Sequence, residues 1–487
     1  MTRVLRKGSE YLRQHGLSYT LRRTREKLLE RTLHLEDRWW RQHAPSEEEL
    51  AAQRRNQPTG VGLISVVVPV FNTRPELLRA LAASLASQTL ENWEAVFYDG
   101  CSDREDTRSM LRTLKEMDPR IRTLRGEENL GISGNTNQAI AAAEGEWIAL
   151  CDHDDLLTPD ALFEMADEIR RLQEERGIRL AFLYSDEDKC DGSGIQFYEP
   201  NLKEKFNYDL LLSNNYICHF SAFRRELIEK AGKFRSEYDG SQDHDLILRL
   251  THEASKYPDG IVHVPHILYY WRSHAGSTAA DINAKTYAID AAKRAVASSL
   301  VSDGMEGFEI ESSKAFATIF RIRYRLVSQP KVSIIIPNRD HEEDLRRCID
   351  SIMLRSSYEN YEIVIVENGS TDEGIRDYYE ELRKAPNIKI VTVKQNSFNY
   401  SELINKGADA SDGEYLLLLN NDTEVITRDW IEELIMYAQR EDVGAVGAKL
   451  YYPDHSIQHA GVVIGLGTHR TAGHVHYGLA STNLGYM

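Results

Sequence analysis

Cysteine is scarce in this chain, with five in 487 residues: Cys101, Cys151, Cys190, Cys218 and Cys348. The number is odd and no two form a Cys-x-x-Cys pair. That speaks against a disulfide framework and a zinc site, and for a reducing compartment. Long apolar runs are also missing. The longest, such as Leu63–Phe71 and Tyr415–Leu419, fall far short of the ~20 residues of a membrane-spanning helix. The charged N-terminus lacks the apolar core of a signal peptide, so the expected location is the cytoplasm. Positive charge is short as well. Lys and Arg number 59 against 76 Asp and Glu, for a net charge of -17, and no nucleic-acid surface is expected over the body. The same acidity means that any phosphate site needs a local cation or metal. What remains is an ordinary globular composition, 41% hydrophobic and 28% charged. The length suits two or three domains at roughly 150–250 residues each.

Residues 1–57 read as a basic helical extension. Arg3, Arg6, Lys7, Arg13, Arg22, Arg23, Arg25, Lys27 and Arg31 outnumber the acids. Leu21, Leu28, Leu29, Leu33 and Leu35 form a rough apolar stripe, and Trp39-Trp40 follow. A basic amphipathic helix ending in Trp suits an anionic membrane surface, which would give peripheral contact at the inner face of the cell membrane. It equally suits packing on the main domain or pairing with another chain. Gln53–Gly62 reads as a polar linker.

From Leu63 the pattern alternates. Leu63–Asn72 is a buried β-branched strand that stops near a proline. Glu76–Ser87 is helical, Trp93–Tyr98 a strand, Arg108–Met117 helical and Ile121–Arg125 a strand. Asn129–Asn135 is a turn opening the helix Thr136–Ala143. The alternation predicts a parallel sheet with helices on both faces. In such sheets ligands bind at the carboxyl ends of the strands, where Asn72, Asp99 and Asp152 fall. Ala181–Tyr184 is a further strand leading into Ser185–Lys189, and Asn214–Phe223 reads as sheet. The helix Leu246–His252 follows, with Ser241 as its N-cap. Asp243 and Asp245 suit the helix dipole, and Asp243 alternatively faces the strand-end site as a base. Tyr269–His274 ends the domain with a cation, Arg272, and an imidazole, His274. Residues 282–303 form a connecting helix, and Ala315–Val327 reads as strand.

The stretch Trp147–Leu156 stands out: an apolar run ends in Asp152-His153-Asp154-Asp155. On an extended chain, residues two apart point to one face. Asp152 and Asp154 would then form a hard oxygen site suited to Mg²⁺ or Mn²⁺ holding a phosphate. The bland alternative is an acidic loop after a strand.

The pattern then restarts. Pro69 and Pro337, Asn137 and Asn405, and Asp154 and Asp422 each lie 268 positions apart. Glu362–Val366 repeats Glu94–Tyr98, and Glu367–Asp372 repeats the turn Asp99–Asp103. The sequence therefore reads as two copies of one domain. Asn420-Asn421-Asp422 keeps the last acid of the Asp152–Asp154 pair and loses the first, which favours Asp154 as the direct metal ligand and leaves Asp152 a secondary part.

Strand-Pro-Val-Phe-Asn, strand-Asp-Gly, Asn-Leu-Gly, Asp-His-Asp-Asp and Gln-Asp-His-Asp-Leu occur in that order. This resembles the family 2 glycosyltransferases of the GT-A fold. Tyr184–Lys189, Gly240–Leu246, Leu268–Ser277, Leu419–Val425 and Lys449–Val462 are similar to the two-domain enzymes of bacterial O-antigen and related surface-polysaccharide synthesis. The resemblance implies an α/β GT-A domain at 63–280, a linker helix and strand at 281–330, and a second GT-A domain at 331–487. It implies an inverting, metal-dependent glycosyltransferase moving a sugar from a UDP- or dTDP-linked donor to a glycan or lipid-linked oligosaccharide. Carried onto matching positions, Asp243 is the catalytic base. Pro69, Phe71, Asn72, Asp99, Asn137, Asp152 and Arg272 bind the nucleotide sugar. Asp154, Asp152 and His274 hold Mg²⁺ or Mn²⁺. Pro337, Asn338, Asn368, Asn420 and Asp422 form a donor half-site in the second copy.

The chain departs from the family pattern twice. Tyr98 stands beside Asp99 where the family has a second acid, so its ring either stacks on the base or packs in the core. The second copy reaches Met487 without a counterpart of Gln242–Leu246 or Tyr269–His274, which implies a donor half only. The end at Gly485-Tyr486-Met487, with no capped helix or charged tail, favours truncation over a non-catalytic remnant. A non-catalytic nucleotide-sugar-binding or scaffolding partner of a polysaccharide synthase is the alternative function, most apt for the second copy. A nucleotidyltransferase would want a Gly- and Lys-rich phosphate loop after the first strand, and Asn72-Thr73-Arg74-Pro75 is not one.

Overall fold

The structure, a computed structural model, describes residues 44–273, 286–313, 316–393, 398–466, 471–481 and 483. His274 and the basic stretch before residue 44 lie outside the described residues. The chain forms two compact units. The first takes in the described residues up to Glu306 together with Ile310–Ile322, and the second takes in Gly307–Glu309 and Arg323–Ser481.

The first unit opens with the helix Glu47–Arg55, closed by a capping box between Ser46 and Glu49. Its last turn runs into the stretch expected as linker. Gln53 is fixed there, donating to Glu164 Oε1 (2.8 Å) and accepting from Thr89 Oγ1 (2.7 Å).

Strand β1 (Ile64–Val70) is buried along all seven residues. A parallel strand covered on both faces is near-continuously apolar, and the one polar side chain here, Ser65, is hydrogen-bonded. β2 (Trp93–Asp99) pairs with it in parallel, Ile64 opposite Trp93, and β3 (Ile121–Arg125) adds beyond β2. β4 (Trp147–Leu150) pairs on the other side of β1, Ile64 opposite Trp147. Next come β5 (Leu156–Leu157), β6 (Phe182–Asp191), β7 (Phe197–Asn201), β8 (Ser221–Arg224) and β9 (Ile261–Ser273). The sheet order is β3-β2-β1-β4-β8-β6-β9-β5, with β7 on β6. The half from β3 to β4 is parallel, and β8 runs antiparallel between β4 and β6.

Pro69 marks the switch point of this sheet. The Val67 carbonyl accepts from the Cys151 N–H (3.2 Å), so Val67, and with it Pro69, turns its backbone toward β4. The pairing with β4 ends at Val67 opposite Leu150. The missing N–H of Pro69 therefore falls where no strand needs it. Beyond that point β1 leads toward β2 while β4 leads away, and a crevice opens at the strand ends.

Several expected boundaries shift. The helix Gly131–Ala142 begins inside the stretch expected as a turn. β6 continues through Ser185–Asp191 instead of ending at Tyr184, because its acids find partners inside the fold: His263 Nε2 lies 2.7 Å from Asp186 Oδ1, and Glu187 faces Lys203. Asn214–His219 is irregular rather than strand and follows a short helix, Tyr208–Ser213.

β10 (Phe308–Ser312) and β11 (Phe320–Tyr324) form a two-stranded ribbon. The second unit is built on β12 (Val332–Asn338), β13 (Tyr361–Glu367), β14 (Ile388–Thr392) and β15 (Tyr415–Leu418), in the order β14-β13-β12-β15. Val332 lies opposite Tyr361 and Tyr415, the register of Ile64 with Trp93 and Trp147. Hydrogen bonds recur at the same 268-residue spacing. Ser65 Oγ donates to Glu94 Oε1 (2.7 Å) and accepts from the Gly145 N–H (2.7 Å). Ser333 Oγ does the same with Glu362 (2.6 Å) and Gly413 (2.8 Å). In the second unit β15 forms the edge of its sheet among the described residues. Leu416 and Leu418 on it are about half exposed.

Gly145 and Gly413 sit where the chain passes against the start of the central strand. A Cβ on Gly145 would lie 2.5 Å from both Leu63 O and Ser65 Oγ. Gly145→Ala is expected to lower stability by about 1–3 kcal/mol through overpacking, read as a lower urea midpoint. An unchanged midpoint would mean that the contact yields freely.

Candidate active site

The acidic run after β4 does not stay extended. The strand stops at Leu150 and the chain turns back, with the Asp155 N–H toward Asp152 O at 3.5 Å. The two-residue alternation expected for Asp152 and Asp154 therefore does not apply. The turn instead brings oxygens of Asp152 and Asp155 together with a ring nitrogen of His219, all within 4.8 Å of one another. Asp154 Oδ1 lies 3.6 Å from His153 Nδ1.

Strand β9 anchors this turn. The buried Asp155 carboxylate accepts from Tyr269 OH (2.5 Å) and from the Arg272 N–H (2.8 Å). Burial, with the nearby charges of Asp152 and Asp154, pushes its pKa well above the usual carboxylate range. Tyr269 OH also accepts from the Asp152 N–H (3.3 Å). Asp155 thus clamps the loop to β9, while the Asp152 side chain stays 51% exposed and open to a ligand.

His219 enters from the segment before β8. Its ring stacks on Tyr269 at 4.5 Å and 5°. Nε2 faces Asp152 Oδ2 at 3.6 Å, and Nδ1 faces Glu187 Oε2 at 3.2 Å. Lys203, fully buried, stands behind. Its Nζ donates to Ile217 O (2.7 Å) and to His219 O, and lies 3.8 Å from Glu187. Burial alone would raise the Glu187 pKa, but Lys203 and His219 outweigh it and hold the group at about 2.

The helix Gln242–Ala254 supplies the next acid. Ser241 stands at the N-cap position, but its hydroxyl donates to Ala288 O (2.7 Å) instead of capping. Asp245 is buried and gripped by two arginines, Arg249 Nη2 at 2.6 Å and Arg235. His244 Nε2 lies 2.7 Å from Leu211 O, and burial lowers its pKa to about 4. Asp243 is held differently. Burial and the charge of Asp152 raise its pKa to about 6, against a smaller lowering by His219 and Gln242. Of the two acids, Asp243 is the one under the field of the Asp152 cluster.

The residues expected to bind a nucleotide sugar are largely engaged within the fold. Asn72, in the left-handed region at φ 52, accepts on Oδ1 from the Asp103 (2.9 Å) and Arg104 (3.1 Å) N–H groups. Asp99 accepts from the Ser102 N–H (2.8 Å) and pairs with Arg125. Pro69 is buried and Phe71 is 40% exposed. Tyr98 is half-buried. Asn137 makes two 2.9 Å bonds with the Phe234 backbone, so it ties its helix to that loop. Arg272 is buried with Nη2 on Asp155 O (3.4 Å), and its Nε has no hydrogen-bond partner among the described residues.

Pro337 is half-buried in the second unit. Asn338 is buried and bonds Asp340 O, Tyr379 OH and Asn421. Asp340 rather than Asn338 plays the part of Asn72, accepting from the Thr371 (2.7 Å) and Asp372 (3.0 Å) N–H groups. Asn368 is buried, and Asn420 and Asp422 are exposed.

Asp155 and His219 were not legible as site residues. Asp155 stands in the acidic run, but only the turn brings it beside Asp152. His219 lies in a stretch whose apolar pattern reads as strand. The donor set fits a divalent cation, since two carboxylates and an imidazole converge and the Asp152 side chain is open.

The site thus comprises an acidic turn after β4 with His219 facing it, and a helix-borne acid, Asp243, under the charge of Asp152. The sequence matches Glycosyl transferase family 2 over residues 65–232 and 333–471. The chain belongs to that family, and its fold is the α/β type expected. It is 39% identical over 439 residues to the uncharacterized protein y4gI of Sinorhizobium fredii, covering 90% of this chain and 47% of that one. It is 35% identical over 419 residues to the O-antigen biosynthesis protein RfbC of Myxococcus xanthus, covering 86% and 31%. The chain thus spans less than half the length of these two relatives. Among solved structures, S. aureus TarS 1–349 in complex with UDP-GlcNAc aligns with a TM-score of 0.40 at 19% identity, over 50% of this chain and 68% of that one. The mannosyltransferase PcManGT of Pyrobaculum calidifontis, in complex with GDP-Man and Mn²⁺, aligns with a TM-score of 0.34 at 18% identity, over 53% and 82%.

Proposed function

We propose that residues 63–280 form an inverting, metal-dependent glycosyltransferase domain acting on a UDP- or dTDP-linked sugar. The acceptor is the hydroxyl of a growing cell-surface glycan or lipid-linked oligosaccharide. The observation that carries this reading is the contrast within one helix turn: Asp245 is locked by two arginines, whereas Asp243 accepts from Gln242 Nε2 at 3.2 Å and has its pKa raised to about 6 by burial and the charge of Asp152. Asp243 takes the proton of the acceptor hydroxyl as its oxygen attacks the anomeric carbon opposite the leaving diphosphate. One displacement inverts configuration. Asp99, with Pro69, Phe71 and Asn72, lines the pocket for the base, and Arg272 bears on the diphosphate. Asp152 and Asp154 would hold Mg²⁺ or Mn²⁺, which when bound offsets charge on the leaving nucleoside diphosphate. The O-antigen name of one relative supports a surface glycan as product.

Residues 331–487 are read as a second copy limited to the donor half. Recurrence of register and hydrogen bonds at 268 residues supports this. So does a cavity of about 320 Å³ lined by Glu367, Ser370, Arg376 and Thr392. Thr392 is the register partner of Glu367, as Arg125 is of Asp99. For this copy a binding or scaffolding role beside a polysaccharide synthase is the second reading. No helix among the described residues is long and apolar enough to cross a membrane. Peripheral contact through the N-terminal basic stretch is the proposed route to a lipid-linked acceptor.

A thermal-shift screen of nucleotide sugars with Mn²⁺ or Mg²⁺ tests the donor assignment. A ligand at 100 times its dissociation constant is expected to stabilise by roughly 2.7 kcal/mol. Silence from every UDP- and dTDP-sugar with either ion would sink the reading.

A further inference from the structure

We propose that His219 is itself a metal ligand of this site, offering Nε2 beside the Asp152 carboxylate. The proposal rests on the glycosyl-transfer reading for the purpose of the ion, and its test reads the ion directly.

The ring is oriented by its neighbours. Nδ1 lies 3.2 Å from Glu187 Oε2, and the His219 N–H points to the same oxygen at 3.3 Å. Tyr269 stacks on one ring face at 4.5 Å. Lys203 holds the His219 carbonyl. An ionised carboxylate only accepts hydrogen bonds, so the Nδ1 proton faces Glu187, with Cys218 Sγ also 3.2 Å away, and Nε2 is the nitrogen left for an ion once it gives up any proton. A carboxylate on the far nitrogen is how proteins fix the tautomer of a metal-binding imidazole and raise its basicity.

The spacing ahead of the ring fits as well. Nε2 to Asp152 Oδ2 is 3.6 Å, too long for a hydrogen bond. Two ligand atoms about 2.1 Å from one ion lie about 3.0 Å apart at a right angle and about 4.2 Å apart when opposed. The Asp152–His219 pair falls between these limits, and Asp155 completes a group within 4.8 Å. An imidazole among oxygens also shifts preference from Mg²⁺ toward Mn²⁺ or Co²⁺.

The test is pulsed electron paramagnetic resonance on the full chain loaded with Mn²⁺, with affinity measured by calorimetry on the same samples. The expected result is ¹⁴N modulation from a directly bound imidazole. His219→Phe keeps the ring on Tyr269 and should lose that modulation, with Mn²⁺ affinity falling at least tenfold. Glu187→Gln should keep the modulation and weaken Mn²⁺ binding about tenfold. Modulation that persists in His219→Phe, or is absent from the wild type with Mn²⁺ bound, overturns the proposal. A wild type that binds no Mn²⁺ overturns it too, and UDP titrated into that sample shows whether the donor reading survives on its own.

Discussion

Asp243→Asn is expected to reduce sugar transfer by about 10²–10⁴-fold, the range of a general base, while UDP binding stays nearly unchanged. The amide keeps the shape of the side chain and its contact with Gln242 but cannot take a proton. Asp243 stands in the first turn of Gln242–Ala254, where an acid also suits the helix dipole. A purely structural Asp243 would therefore show up as lost stability with intact transfer. The wild-type rate should also carry an acid limb. Burial and the Asp152 charge raise the Asp243 pKa to about 6, so the proton-accepting form is lost as pH falls through that value. The rate should rise from pH 5 to pH 7. In Asp243→Asn that limb should vanish from the residual rate. Transfer at the wild-type level in the variant would remove Asp243 from the base role.

Lys203→Met is expected to destabilise the first unit by about 3–5 kcal/mol, the usual result of stripping one partner from a buried ion pair. Lys203 has no exposed side-chain surface, and burial lowers its pKa. Its ammonium holds the carbonyls of Ile217 and His219 and faces Glu187. Methionine fills the space and leaves Glu187 without its cation and two carbonyls without their donor. The pH dependence should change with it. In the wild type Glu187 has a folded pKa of about 2 against an ordinary 4.5. Its contribution is fully present above pH 4.5 and is lost as pH falls toward 2. Without Lys203 that folded pKa rises and the loss moves to higher pH. Chemical denaturation from pH 3 to pH 7 measures both effects. A variant as stable as the wild type at pH 7 would mean that the pair does not hold the His219 segment.

The first half of the sheet was legible because its signal is one of composition. β1 is apolar but for Ser65, β3 begins and ends at Ile121 and Arg125 as read, and β12 with β13 repeats the register of β1 with β2 at a spacing of 268 residues. The central strands β1 and β12 are buried almost throughout, and burial is written directly into residue type. The strand ends were harder. Asp152 and Asp154 pair only if the chain stays extended, and the turn at Asp155 is made by Tyr269 and Arg272, more than a hundred positions away. His219 is a site residue only because Glu187, Tyr269 and Lys203 converge on it, and no local pattern reports that convergence. Asn137, expected as a ligand contact, bonds the Phe234 backbone twice, since an amide pairs equally well with backbone and with substrate. Asn338, the expected half-site residue, follows Pro337 directly. In the fold Asp340 accepts the two N–H groups that match those on Asn72.

The proposed single displacement at Asp243 is tested most directly by the anomeric configuration of the product. The donor that gives the largest thermal shift would be incubated with acceptor, and the new linkage followed by proton NMR from the first turnover. The expected result is inversion, an α-linked donor giving a β-linked product, in the wild type and in whatever residual product Asp243→Asn forms. A product that retains the donor's configuration would contradict the single displacement and call for a covalent nucleophile in place of a base at Asp243.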